Sequence, residues 1–341
     1  MSQTKNQKTN GIILFAKEPG PTSFSAIGSV KRALKTTKVG HTGTLDSFAQ
    51  GLLVVCVGSL TKLAGNITAF NKSYKAVIKF GEETDTLEFT GKTIKTAPLP
   101  TLQELQAAVQ KFTGDIMQTP PLFSAIHING KRASELAREG KTQTIPARPV
   151  TVFKAKILDV KLTNQNQVEY ALIDFEVSKG TYIRSLARDI AETCNSAAHL
   201  IGLSRTKVGS FNIEESAAFS RLKDFTIENS IKTAQEFLQN QNTQKKDDQE
   251  LYNEIKNHLL DLNTQTAKLC GFETAKIINS NAEADFQNGK KLLCKMFETD
   301  IKTLPKNSQI AVYGTENNFI GLIFKNESEK LSYKFVIQTE K

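Results

Sequence analysis

Hydrophobic and polar positions along the chain alternate in some stretches and recur at helical spacing in others. GIILF (11–15) reads as a short buried strand, followed by the turn residues of AKEPGPTS and by FSAIGSVKRALK, whose apolar positions recur at helical spacing. Strands are predicted at YKAVIKFG (74–81), TVFKAKILDVKL (151–162) and YALIDFEVS (170–178), which partly alternate and are rich in β-branched residues. Helices are predicted at LQELQAAVQKF (102–112), RASELAREG (132–140) and TYIRSLARDIAETC (181–194). Strands and helices do not alternate regularly, which favours an α+β architecture over a doubly wound sheet. Polar residues accumulate across 236–254, as in a linker. From about 268 onward, IAVYGT, FIGLIFK and YKFVI suggest a small β-rich appended domain.

Composition narrows the class of partner. The chain has 341 residues and a formal net charge of +9, which favours a polyanionic partner through phosphate contacts. Its longest apolar stretches, such as 52–57, are too short to span a bilayer, and MSQTKNQKTN lacks a signal-peptide core. A cytoplasmic location without membrane association is therefore expected. Cys56, Cys194, Cys270 and Cys294 show neither CxxC nor Cys/His ligand spacing, so reduced, mostly buried thiols are expected rather than disulfides or zinc. His41, His127, His199 and His258 are far apart, and there is no P-loop, GxSxG elbow or HExxH. The chemistry left open is that of carboxylates, hydroxyls and cations without a cofactor.

The stretch VGHTGTLDSFAQGLLVVCVG (39–58) places a carboxylate, Asp46, in a run of small and hydroxyl residues before an apolar strand. Asp46 could close a turn, with Ser47 and Gln50 as a capping box for a short helix. It could equally be a nucleophile held by a rigid turn. Spacing does not separate the two.

VGHTGTLDSFAQGLLVVCVGSLTKL closely resembles the signature of the bacterial tRNA pseudouridine synthase B family, approximately GHTGTLDPxAxGLLxxxxGxATK. LFAKEPGPTSF (14–24), KSYKAVIKFGEETDT (72–86), TPPLFSAIHINGKRASELAREG (119–140), SKGTYIRSLARDI (178–190) and HLIGLSRTKVGSF (199–211) are similar to further family segments in the expected order. The resemblance covers roughly residues 11–215 and is weak in the C-terminal region.

The resemblance implies an α+β pseudouridine synthase domain, with a mixed, largely antiparallel sheet flanked by helices, and a small β-rich PUA-like domain. The implied layout is a tail at 1–10, a catalytic domain at 11–230 with an RNA-binding insertion at about 120–150, a polar linker or helical connection at 231–259, and the PUA-like domain at 260–341. It implies isomerisation of uridine-55 in the tRNA T loop by base flipping, with no cofactor, no metal and no obligatory protein partner, in a monomer. The alternatives are a tRNA-elbow chaperone and the guide-dependent synthase branch.

Asp46 is implied to be catalytic. Arg184 would pair with it, Tyr182 would line the pocket, Tyr74 would stack on the uracil, Leu203 would form an apolar wall and Lys62 would support the site. Lys17 would likewise support the site and contact the RNA backbone, and His41 would pack against the RNA loop. The sequence departs from the family pattern at Glu18, Ser47, Glu88, Phe123 and Ser204.

Overall fold

The computed structural model describes residues 10–124, 126–128, 131–133, 135, 139, 145–239 and 248–337. Its centre is a ten-stranded mixed sheet. The strands that position the site are β1 (Gly11–Lys17), β2 (Val39–His41), β3 (Gln50–Val57), β4 (Lys72–Phe80), β5 (Gly114–Gln118), β6 (Arg148–Leu162), β7 (Val168–Val177), β8 (Ala198–Val208) and β9 (Leu259–Leu260). Their order is β9-β1-β3-β8-β4-β7-β6-β5, with β2 beside β3. Every pair along that path is antiparallel except β3 with β8, which meet in parallel at Ser204↔Gln50 and Arg205↔Gly51.

β1 and β3 are buried on both faces, which is why their sequences are unbroken apolar runs rather than alternating ones. Ile13, Phe15, Leu53, Val55 and Val57 enter the main core with α3 (Leu102–Lys111) and α4 (Ile183–Thr193), counting helices α1 (Ser23–Ala26) and α2 (Gly28–Ala33) before them. Ile12, Leu14, Leu52, Val54 and Cys56 point the other way and pack with Leu262, Phe272, Ala311 and Leu322. The C-terminal strands β10 (Glu273–Lys276), β11 (Ser308–Tyr313), β12 (Phe319–Lys325) and β13 (Leu331–Val336) form a separate four-stranded sheet that shares this second core.

Several expectations change here. FSAIGSVKRALK forms two short helices, α1 and α2, instead of one. No helix begins at Ser47: residues 47–49 form a turn and Gln50 already opens β3, so the Ser47/Gln50 capping box is not made. The polar stretch 236–254 contains the end of α5 (Ile227–Gln239) and the start of α6 (Gln249–Asn257). Leu251, Tyr252 and Ile255 of α6 are buried in the main core, and α6 packs on α2. Most of the helix predicted at 132–140 lies outside the described residues. No helix among the described residues is long and apolar enough to cross a membrane.

Candidate active site

Asp46 sits in a turn whose backbone is fastened from both sides. The turn closes on itself through Ala49 N to Asp46 O (3.1 Å). Before Asp46, Leu45 N donates to Ser23 Oγ (2.8 Å), and that hydroxyl donates back to Leu45 O (3.0 Å). After it, Gly20 N donates to Ser47 O (2.8 Å).

Two buried cations complete the clasp. Lys17, fully buried at the end of β1, donates through Nζ to Ala49 O (2.6 Å), Ser47 O (3.1 Å) and Glu18 O (3.1 Å). Arg205 of β8 donates to Gly43 O (3.0 Å), Thr44 O (3.3 Å) and Leu52 O (2.8 Å). Carbonyl oxygens thus offset the loss of water around each charge, which an apolar interior would not do. Burial pulls Lys17 down to about 7, opposed by the nearby Asp46 carboxylate and reinforced by Arg205.

The parallel junction brings β8 to this turn, and a glycine makes the approach possible. Gly51 has φ +124°, and a Cβ there would lie 2.5 Å from both N and O of Arg205. Only glycine lets the two strands close at that point.

Arg184 reaches Asp46 from the first turn of α4. Gln118 of β5 fixes that end of the helix: its Oε1 accepts from Tyr182 N (2.8 Å) and its Nε2 donates to Tyr182 O (3.1 Å). The guanidinium is buried, with Nη2 donating to Asp46 Oδ1 (3.2 Å) and to Phe123 O (3.0 Å), and Nη1 donating to Thr86 O (2.9 Å). Arg184 Nε also lies 3.1 Å from Asp46 Oδ2, close enough for ion pairing but not aligned for a hydrogen bond. Asp46 keeps a third of its side chain exposed. The carboxylate is therefore anchored by charge yet open to a ligand.

A second carboxylate shares this arginine. Glu88 Oε2 lies 3.9 Å from Arg184 Nη1, and Thr90 donates to Glu88 Oε1 (2.8 Å). Burial pushes Glu88 up to about 7; the Asp46 charge adds to the rise, while Arg184 and the Thr90 hydroxyl oppose it.

The other expected residues divide into two groups. Tyr74 of β4 lies opposite Arg205 and Leu203 opposite Ala76, and both side chains join Leu45 and Phe48 in the main core beneath the Asp46 turn. Tyr182 packs beneath Arg148, whose guanidinium is 5.9 Å from the ring centre, and burial raises its phenol above the ordinary value. His41 of β2 is half-buried with Nδ1 unpartnered; burial and Arg205 lower it below the ordinary histidine value.

Lys17 braces the Asp46 turn and not RNA, and Lys62 turns toward the C-terminal sheet. Lys17 cannot touch an RNA backbone, because it is enclosed by the carbonyls it holds. Lys62, in the 3-10 turn Gly58–Leu63, is directed toward the C-terminal sheet, with Nζ 5.1 Å from the centre of the Phe335 ring.

A sequence profile described as "TruB family pseudouridylate synthase (N terminal domain)" matches residues 31–183. The tRNA pseudouridine synthase B of Borreliella burgdorferi (strain ZS7) is 42% identical over 221 residues, which span 64% of this chain and 76% of that protein. The chain belongs to the TruB pseudouridylate synthase family. The protein of the same designation in Treponema denticola is 47% identical over 231 residues, and the match spans 65% of that relative's length. Among solved structures, an H/ACA ribonucleoprotein bound to a substrate RNA containing 2′-deoxyuridine matches 96% of this chain and 85% of its own, with a TM-score of 0.61 at 18% identity. An archaeal box H/ACA Nop10–Cbf5 complex gives a TM-score of 0.60 at 19% identity. These two are likenesses of fold alone, and they span the C-terminal region as well.

Sequence reasoning missed Arg205 altogether and noted Glu88 only as a departure from the family pattern. The available signal for Arg205 was a cation within the largely apolar run of HLIGLSRTKVG. Its partners, however, lie more than 150 positions earlier in the chain.

Proposed function

We propose that this family member converts a uridine of tRNA to pseudouridine, at position 55 in the T loop, with Asp46 as the catalytic residue. The observation that carries the reading is the Asp46–Arg184 pair: a partly exposed carboxylate in contact with a buried guanidinium, on a turn clasped at both ends. The reaction breaks the N1–C1′ bond, forms C5–C1′, and moves one proton from C5 to solvent or N1. It requires no net redox change. Asp46 supplies negative charge at the ribose while these bonds exchange. Tyr74 and Leu203 offer an aromatic platform and an apolar wall for the flipped base, and Tyr182 lines the same pocket. In this reading the central sheet with its helices, α6 and β9 included, acts as the catalytic unit and the C-terminal four-stranded sheet belongs to a PUA-like RNA-binding unit, in a cytoplasmic monomer.

The test uses purified protein, an unmodified T-arm stem-loop and buffer without metal or cofactor, with the product mapped at nucleotide resolution. Pseudouridine at the T-loop uridine is expected from the wild type, and Asp46→Asn should abolish it while RNA affinity stays within a few-fold. Turnover by Asp46→Asn near the wild-type rate refutes the assignment.

A further inference from the structure

Helix α1 carries the most exposed large apolar side chain among the described residues. Phe24 is 70% exposed, and Lys31 of α2 holds its ammonium 4.6 Å from the centre of the ring. An isolated exposed aromatic is ordinary on a protein surface. Three further observations set this one apart.

The first is rigidity next to the site. Thr22 Oγ1 caps α1 by accepting from Ser25 N (3.1 Å). Ser23, adjacent to Phe24, is buried and exchanges two hydrogen bonds with Leu45, the residue before Asp46. The ring is thus displayed from a base bolted to the catalytic turn.

The second is charge. Residues 19–45 contain Lys31, Arg32, Lys35 and Lys38 and no aspartate or glutamate. Arg32, Lys35 and Lys38 are exposed; Arg32 donates to two hydroxyls, Tyr252 Oη (2.6 Å) and Ser29 Oγ (3.3 Å), and its guanidinium lies 5.7 Å from the centre of the Tyr252 ring. The third is chemical pairing: an exposed aromatic face beside cations that form no salt bridge among the described residues matches a base and its phosphate, the two halves of an unpaired nucleotide.

We propose that Phe24 and Lys31 form a subsite for an unpaired nucleotide of the RNA substrate, Phe24 stacking on its base and Lys31 meeting its phosphate. The subsite rests on the RNA reading above and adds to it a contact outside the Asp46 pocket. It favours loops over duplexes, because a paired base has no free face to offer.

The chain contains no tryptophan, so Phe24→Trp creates a single fluorescent reporter at the subsite. The variant is titrated with a T-arm stem-loop and with a blunt duplex of equal length and charge. Quenching by the stem-loop but not by the duplex is expected. Phe24→Ala and Phe24→Leu should weaken stem-loop binding by roughly 5- to 150-fold, with the loss expressed in KM, and Phe24→Tyr should restore it. Lys31→Ala should reduce the salt slope of binding by about one phosphate.

An unquenched tryptophan, equal quenching by the duplex, or wild-type affinity in Phe24→Leu overturns the subsite. Product mapping on the wild type judges the catalytic reading separately. An active wild type with an unquenched reporter refutes only the subsite, and an inactive wild type with a loop-specific quench refutes only the isomerase.

Discussion

Glu88→Gln is the perturbation that most directly interrogates the charge arrangement around Arg184. Folding raises the Glu88 carboxyl from its ordinary 4.5 to about 7, chiefly by burial. Between those values the folded protein keeps a proton that the unfolded chain has lost. Stability contributed by this group is therefore complete below about pH 4.5 and falls as the pH rises toward 7. At 1.36 kcal/mol per pH unit, the wild type should lose roughly 2.5 kcal/mol between pH 5 and pH 8 relative to a variant that cannot ionise there. The side chain is only 14% exposed, so solvent screens little of this. Glutamine is nearly isosteric and keeps an oxygen for the Thr90 hydroxyl. Urea unfolding of both proteins across pH 5–8 measures the difference, which should grow steadily in favour of the variant. A difference that stays flat to within about 0.5 kcal/mol would show that Glu88 titrates normally and is not confined by Asp46 and burial. The same variant should sustain single-turnover isomerisation above pH 7, where ionised Glu88 otherwise competes with Asp46 for Arg184.

What the sequence made legible was local pattern, and what it concealed was contact across long separations. The strands around 74–81, 151–162 and 170–178 and the helices at 102–112 and 181–194 were visible because periodicity and turn residues act over a few positions. β8 escaped because both of its faces are largely buried, so its sequence does not alternate, and His199, Ser204 and Arg205 break the apolar run. α6 was obscured by its polar outer face; only Leu251, Tyr252 and Ile255 mark the side that packs inward. Asp46 and Arg184 stood out through motif resemblance, although 138 positions separate them and no local rule joins them. Lys17 shows the opposite failure. A lysine after an apolar strand suggests a solvated end, and nothing nearby announces that Ser47 and Ala49 will wrap its ammonium.

That enclosure predicts that Lys17→Met slows single-turnover isomerisation at least tenfold while leaving RNA affinity within about threefold, since a buried side chain offers nothing to a phosphate. Filter binding alongside rapid-quench kinetics decides it, and weakened binding with intact chemistry would restore Lys17 to the RNA interface. Gly51→Ala tests whether the parallel seam between β3 and β8 is what positions the Asp46 turn. The new methyl would meet Arg205 N and O at 2.5 Å, and φ +124° strains any L side chain. Neither atom is the end of a flexible group, so the strands themselves must separate. Strain and overpacking together should cost about 2–6 kcal/mol. Gly65→Ala is the matched control: it lies in the short helix Ala64–Thr68 with nothing within 4 Å of its added methyl. There the substitution should be neutral or stabilise by up to about 1 kcal/mol through helix propensity. Urea midpoints compare the two, and amide exchange at Arg205 reports whether the seam has opened. Were Gly51→Ala as stable as Gly65→Ala, with Arg205 still protected, the close approach of β3 to β8 could not be the constraint that holds the Asp46 turn.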